Sequence, residues 1–376
     1  MQNFQSGNNI SQGTYKAFIP NPINKDWHIN DMEVVNLLSQ ADRELGRLDM
    51  FSEYVNIDLY ISMHILKEAT QSTKIEGTQT NMEEAFMPKE DVEAEKRDDW
   101  QEVQNYIEAM HEAVQQLHRL PFSNRLIKLT HKILLKGVRG KHKLPGEFRT
   151  SQNWIGGASI ADAIFIPPPH LEISKLMSDI EKFANSLDNK LPDLLKIAII
   201  HYQFQTTHPF LDGNGRVGRL MITLYLVDKK ILKQPILYLS DFFEKHRTLY
   251  YDNLMRVRTH NNLAQWLKFF LTGIIETTKK GVETFNGILQ LQKEIDVKLK
   301  TLKSREGNAR RLIDFAYKQP VFNAKAIENE LQISGASVYK LLRDLERLEI
   351  IIEFTGAKRG KIFIFKTYMD LFRDDA

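Results

Sequence analysis

From Asp31 onward apolar residues recur at steps of three and four (Val35, Leu38, Ala41, Leu45, Leu48), the spacing of one buried helix face. A second helix is predicted through Ile57, Ile61, Ile65 and Ala69 into Ser72-Thr73-Lys74-Ile75-Glu76-Gly77, where Gly77 makes a natural stop. The same period returns at Trp100, Val103, Ile107, Met110 and Val114, at Leu126, Leu129, Ile133 and Leu134, and around 173–183, 194–204, 220–227 and 266–275. Phe285, Ile288, Ile295, Leu299 and Leu302 mark one stripe of a long charged helix, a strut between domains. Three stretches break the rhythm. Residues 1–30, with Pro20 and Pro22 and little periodic apolar content, are expected as an arm laid over a surface or left mobile. Lys89–Asp99 is almost entirely charged and reads as a solvated connector or helix start. In 151–166 two β-favouring runs flank Gly156 and Gly157 before Pro167-Pro168-Pro169, a hairpin within a helical protein.

The C-terminal stretch has a different pattern. Ala324–Leu331 and Gly335–Leu348 are two helices around the turn Gln332-Ile333-Ser334, and Ile350–Phe354 and Lys361–Phe365 alternate as strands joined by Thr355-Gly356-Ala357-Lys358-Arg359-Gly360. Together they predict a winged helix with a basic wing tip. Thirteen Lys and Arg against eleven Asp and Glu over 305–376 leave a net of +2, weak for phosphate neutralisation. Lys340, Arg343 and Arg347 share a helix face that Asp344, Glu346 and Glu349 dilute. DNA contact and a protein-docking or structural role both stay open.

The chain's 376 residues leave room for two or three domains, and a net charge of +3 announces no overall field for nucleic acid or membrane. With 42% hydrophobic and 26% charged residues, the composition is that of a soluble globular protein. The absence of cysteine excludes disulfides, thiolate metal sites and cysteine nucleophiles. No apolar run approaches membrane-spanning length and the start lacks a basic patch before an apolar segment, so a cytoplasmic protein without membrane partners is expected.

Candidate chemistry concentrates in His208-Pro209-Phe210-Leu211-Asp212-Gly213-Asn214-Gly215-Arg216-Val217-Gly218-Arg219. Pro209 biases His208 away from helical geometry, so His208 ends a helix and enters a loop. Asp212, Gly213 and Gly215 open the next helix, whose first N–H groups and dipole favour an anion. Arg216 and Arg219, three residues apart, project from one face, and two guanidinium forks beside such a nest suit a polyphosphate. Asp212 can supply a hard oxygen ligand to Mg²⁺. Each feature alone has a plainer reading: a packed His, an N-cap Asp, solvated arginines. Their combination within twelve residues points to nucleotidyl transfer. The spacing of His201 and His208 does not fit a zinc helix, and there is no Walker loop.

This segment resembles the signature of Fic-domain proteins, HPFxDGNGRxxR, at every defined position, and the similarity extends over most of residues 100–273. The resemblance implies a mainly α fold, a Fic-type helical bundle with a small β-hairpin flap, here followed by the winged helix. It also implies transfer of AMP from ATP, with Mg²⁺, to a hydroxyl of a target protein. His208 would be the general base and Phe210 the loop's anchor. Asp212 would hold the metal, and Gly213, Asn214 and Gly215 would form the anion hole. Arg216 would bind the nucleotide phosphates and Arg219 the γ-phosphate. The hairpin would dock the target by strand addition, with Ile160 as clamp, and Tyr250, Tyr251 and Asn253 would line the adenine pocket or simply pack the core. Relatives that transfer phosphate carry Lys where this chain has Gly215, which favours AMP transfer.

Ser72, Glu76 and Gly77 resemble the family's inhibitory motif, [S/T]xxxE[G/N], which implies that Glu76 pairs with Arg219 and blocks the γ-phosphate's place. The resulting division is 1–98, an N-terminal region with the inhibitory helix; 99–273, the Fic core; 274–304, a connecting helix; and 305–376, the winged helix. Two rival functions remain: a DNA-binding regulator with a nucleotide-sensing Fic domain, and removal of AMP with Glu76 activating water. Self-modification and a homo-oligomer also stay open.

Overall fold

The computed structural model describes residues 4–54, 57–137, 142–356 and 360–373. A hairpin of β1 (Gly7–Ser11) and β2 (Lys16–Pro20) precedes α1 (Met32–Tyr54), α2 (Ile57–Ile75), α3 (Met82–Phe86), α4 (Arg97–Gln116) and α5 (Asn124–Leu134). After a long loop come α6 (Ile173–Asn185), α7 (Asp193–Thr207), α8 (Asn214–Asp228), α9 (Ser240–Lys245), α10 (Arg247–His260) and α11 (Leu263–Lys300). The chain closes with α12 (Glu306–Lys318), β3 (Val321–Asn323), α13 (Ala324–Leu331), α14 (Gly335–Arg347), β4 (Ile352–Glu353), β5 (Ile362–Ile364) and α15 (Lys366–Asp370). The fold is mainly α, as the periodicities predict. Among the described residues no helix is long and apolar enough to cross a membrane.

Helix α7 is the axis of the core: every residue from Leu194 to Thr207 is buried, so it lacks the polar face of a surface helix. A short loop, 208–213, leads from it into α8, which is buried nearly throughout. Trp266 Nε1 donates to Ala198 O at 2.8 Å and ties α11 to α7. Helix starts follow their capping residues. Ser123 caps α5, Asn81 and Glu84 form a capping box on α3, and Asn262, Asn323 and Ser334 cap α11, α13 and α14.

Four expectations change. The N-terminal arm is an ordered hairpin in register Gly7↔Pro20 to Ser11↔Lys16. It is pinned by Phe18 N–H to Ile166 O at 2.9 Å and by Ser6 N–H to Asn261 Oδ1 at 2.7 Å. Ala17 and Phe18 are buried, a two-residue apolar patch too short to register as a pattern. The 151–166 hairpin reduces to one antiparallel bridge, Ile155↔Phe165. Gly156 and Gly157 adopt positive φ (69° and 76°), and Ser159 and Asp162 cap a 3-10 turn at 160–162, so the strands cannot continue. α11 runs unbroken for 38 residues, so the boundary at 273/274 falls inside a helix. Phe51 stacks on Phe285 at 5.2 Å where α1 packs along it. Finally, β3 joins the two expected C-terminal strands in an antiparallel sheet of order β3-β5-β4, and the basic tip residues Lys358 and Arg359 lie outside the described residues.

The C-terminal unit packs on α2. Tyr60 meets Tyr317 edge-on at 5.0 Å and lies 6.2 Å from Tyr368, while His64 sits between Phe285 (4.7 Å) and Phe372 (4.9 Å). The helix carrying Ser72 and Glu76 is therefore shared between the N-terminal and C-terminal parts of the chain.

Candidate active site

His208 is the C-cap of α7, in left-handed backbone (φ 50°, ψ 59°), its N–H bonded to Phe204 O at 2.9 Å. Pro209 forbids continuation, and the chain turns out of the helix there. The residue is half-buried, and its Nδ1 is sealed from solvent without a partner. Burial, with Arg258 and Arg149 nearby, pushes the imidazole down to about 4, so it is neutral and able to accept a proton at pH 7.

Phe210 is fully buried and stacks on His131 with centroids 3.7 Å apart. Asn214 staples the loop: its Oδ1 accepts from Phe210 N–H (2.9 Å) and its Nδ2 donates to Phe210 O (2.8 Å). It is 2% exposed, so its side-chain amide holds the loop's shape and its part in the expected anion hole falls to its backbone N–H. His131 Nδ1 accepts from Gly146 N–H at 2.9 Å, which places the proton on Nε2, where it donates to Asp212 O at 3.1 Å. Burial holds His131 down to about 4 and so preserves that tautomer. Nothing in the sequence around His131 marks this role.

Gly213, at φ 74°, is the N-cap of α8, and Asp212 Oδ1 accepts its N–H. The Asp212 side chain is 43% exposed and lies 3.5 Å from Arg216 Nη2. Arg216 Nη1 donates to Glu102 Oε2 at 2.7 Å, while its Nε is buried without a partner. These residues line a groove of about 350 Å³ with Asp98, Asn105 and Leu134, within the size range of small-molecule sites. A buried guanidinium with an orphan N–H, a half-exposed carboxylate and a helix N-terminus form a donor set that fits a phosphate chain with Mg²⁺. Among the described residues no three His, Asp or Glu side chains gather as a metal cluster.

Arg219 is 2% exposed and held along one edge of its guanidinium. Its Nε donates to Ser72 Oγ (2.9 Å), and its Nη2 donates to Ser72 O (2.8 Å) and to Glu76 Oε1 (2.6 Å). Burial tends to raise the Glu76 carboxyl, but Arg219, helped by Arg216 and His208, outweighs it and holds the group below its usual range. Gly77, at φ 107°, ends the helix and aims this last turn at α8. Gly215 leaves room for the same contact, since a Cβ there would push aside Glu76 Oε1, the end of a flexible side chain. The structure thus brings Ser72, Glu76, His208, Asp212, Arg216 and Arg219 around one loop.

The adenine-pocket candidates separate. Tyr250 is 1% exposed with its hydroxyl bonded to His201 Nε2 at 2.8 Å, so its ring packs the core and offers no face to a base. His201 Nδ1 in turn donates to Gly218 O at 2.9 Å, a structural histidine. Tyr251 is 42% exposed as a whole; loss of water around its hydroxyl, then the Glu76 charge, raise its pKa against the pull of Arg219. Asn253 donates to Leu249 O at 2.8 Å and keeps a buried, unpartnered Oδ1. Ile160 sits half-buried in the 3-10 turn at the flap's tip.

Residues 35–115 match the model described as "Fic/DOC family N-terminal" and residues 121–226 that of the "Fic/DOC family". A protein adenylyltransferase Fic of Aedes aegypti is 33% identical over 125 residues, covering 33% of this chain and 22% of that protein. A probable protein adenylyltransferase of Aquifex aeolicus is 35% identical over 111 residues, 29% of this chain and 31% of that one. The matches therefore span between a fifth and a third of these curated relatives. Among solved structures, a Fic family protein from Desulfovibrio desulfuricans superposes with TM-score 0.57 at 17% identity, covering 91% of this chain and 98% of that one. A Fic domain containing signaling protein from Bacteroides thetaiotaomicron gives 0.51 at 16% identity, over 67% and 96%. On these matches and the shared fold, the chain belongs to the Fic/DOC family through residues 35–115 and 121–226.

Proposed function

We propose that this protein transfers AMP from ATP to a Ser, Thr or Tyr hydroxyl of a target protein and that Glu76 holds it in check. The observation that carries this reading is the Arg219 guanidinium, buried beside the His208–Gly213 loop and held by Ser72 and Glu76 where an anion would bind. The target oxygen attacks the α-phosphorus and its proton passes to the His208 imidazole. The bond from that phosphorus to the α,β-bridging oxygen breaks, and pyrophosphate leaves with the electron pair. Arg216 and Arg219 take the phosphates, and the first-turn N–H groups of α8, which have no intrahelical partner, face the same charge. Mg²⁺, for which Asp212 is the candidate ligand, supplies further positive charge to the triphosphate when bound. Little covalent work falls to the protein, so positioning and electrostatics carry the rate.

We assign target docking to the 153–166 flap with Ile160 at its tip, and adenine contacts to Tyr251 and Asn253. We assign a partner-choosing role to a winged-helix unit over 305–376, and a cytoplasmic setting to the whole. The exposed Lys340, Arg343 and Arg347 face leaves that unit's partner between DNA and protein. The test is mass spectrometry of a lysate incubated with ATP, Mg²⁺ and the Glu76→Gly chain. A protein carrying added AMP is expected; its absence at full ATP occupancy overturns the reading.

A further inference from the structure

A left-handed backbone at a non-glycine residue persists only where its surroundings over-determine it, and His208 has such surroundings. The last carbonyls of α7 lack helical partners, and two arginines from distant segments supply donors there. Arg149, 2% exposed, donates from Nε to His208 O at 2.9 Å and from Nη2 to Thr207 O at 3.5 Å. Its backbone N–H bonds Pro209 O at 2.9 Å, so the peptides on both sides of Pro209 are gripped by one residue. The rest of the same guanidinium holds the flap: Nη1 donates to Ser151 O at 3.0 Å and Nη2 to Pro168 O at 2.5 Å. Arg149 has no carboxylate among these partners. A buried cation thus spends its planar fork on backbone carbonyls at the base of the flap and at His208. Arg258 makes a parallel link, donating from Nη2 to Gln205 O at 3.2 Å and lying 4.0 Å over the flap's Phe165 ring.

We infer that Arg149 is a positioning residue for the transfer proposed above, fixing the His208 backbone and the flap stems in one frame so that base and docked hydroxyl meet. Lysine cannot replace it, because a single ammonium cannot reach carbonyls on both sides of the fork. The cation also faces the imidazole. With Arg258 from α10 it disfavours protonated His208, while Glu76 from α2 favours it. Loss of the Arg149 charge should therefore raise the histidine's titration, whereas Arg149→Lys should leave it nearly in place.

The inference rests on the adenylyltransferase reading, and its test separates the two. Arg149→Lys and Arg149→Met are made in the full chain carrying Glu76→Gly. Three quantities are measured: pyrophosphate release from ATP with Mg²⁺, ATP affinity by calorimetry, and the His208 imidazole titration by NMR. Both variants should lose about tenfold or more in pyrophosphate release with ATP affinity little changed, the mark of a defect outside nucleotide binding. In Arg149→Met alone, His208 should titrate higher than in the parent. Parental release in Arg149→Lys, or an unmoved titration in folded Arg149→Met, overturns the inference. If Arg149→Met does not fold, the Lys variant decides by its release rate. If the Glu76→Gly parent itself releases no pyrophosphate, the transfer reading fails, and the positioning of His208 then stands or falls on its NMR signals alone.

Discussion

Replacing Glu76 by Gly removes one of the three hydrogen bonds on Arg219 and leaves both bonds to Ser72 in place. A hydrogen bond between charged groups contributes about 1.5–3 kcal/mol. The Glu76 side chain is 35% exposed, so solvent screening puts the pair at the lower end, about 1.5 kcal/mol, or roughly tenfold in occupancy. The assay is transfer of α-labelled AMP and, in parallel, ATP affinity by calorimetry, both with Mg²⁺. At ATP well below its dissociation constant, Glu76→Gly should transfer about ten times faster. Glu76→Gln, which keeps the length and loses the charge, should fall between. Arg219→Ala in the Glu76→Gly background should abolish the gain, because the guanidinium proposed to receive the phosphate is then missing. Unchanged rate and unchanged ATP affinity in Glu76→Gly would refute the competition argument.

Gly215→Ala should mimic part of that release, since its Cβ displaces the Glu76 carboxylate; an ATP affinity no better than the parent's speaks against it. Bound ATP should raise His208 from about 4, because a triphosphate adds negative charge beside the ring, and an NMR titration unchanged by ATP and Mg²⁺ contradicts the placement. Glu68 is 2% exposed, and burial raises its carboxyl to about 7 against hydrogen bonds from Ser240 and Tyr106. Its folded pKa lies above the unfolded value, so its contribution is fully present below about 4.5 and is lost as pH rises through about 7. Glu68→Gln should accordingly flatten the fall in melting temperature between pH 5 and 8, by an amount corresponding to about 1–3 kcal/mol; an unaltered slope negates the assignment. Deleting residues 303–376 uncovers the Tyr60 and His64 rings, each large buried ring contributing about 1.5–3 kcal/mol, so the remainder should melt well below the full chain. Equal melting temperatures would show that the two parts are independent.

Much of the site was legible because its chemistry is contiguous. The residues from His208 to Arg219 are a helix end, a loop and a helix start, and local rules read such a segment without knowing what surrounds it. Ser72 and Glu76 were marked by their resemblance to the family's inhibitory motif, and the four-residue step on a helix added only that they share a face. His131, Glu102 and Arg149 were not: they reach the loop from 81, 114 and 59 residues away, and nothing local distinguishes them from packing or surface residues. The same limit explains α11, where two apolar stripes read as separate helices because the burying partners change along its length. Helix α7 carries almost no polar face, so its periodicity showed a core element but not that it was the central one. The N-terminal hairpin owes its place to Ile166 and Asn261, partners that no window around residues 7–20 contains.

The sharing of α2 between two parts of the molecule sets the tempo of any control exerted through Glu76. Its early turns are fastened by Tyr60 and His64 into an aromatic cluster, and its middle by Glu68, buried against Tyr106 and Ser240. Lifting the whole helix away would require global opening, on the slow end of local-unfolding times. Its last turn is fastened as well, by Ser72 on Arg219, but the Glu76 side chain beyond it is 35% exposed and meets Arg219 through one oxygen. Releasing Glu76 needs only the rotation of one side chain, a motion on the picosecond to nanosecond scale once its ion pair breaks. ATP would then meet a gate that opens far more often than turnover requires. On the proposed function, the carboxylate would set the fraction of time the site is available, and catalysis would sample only that average.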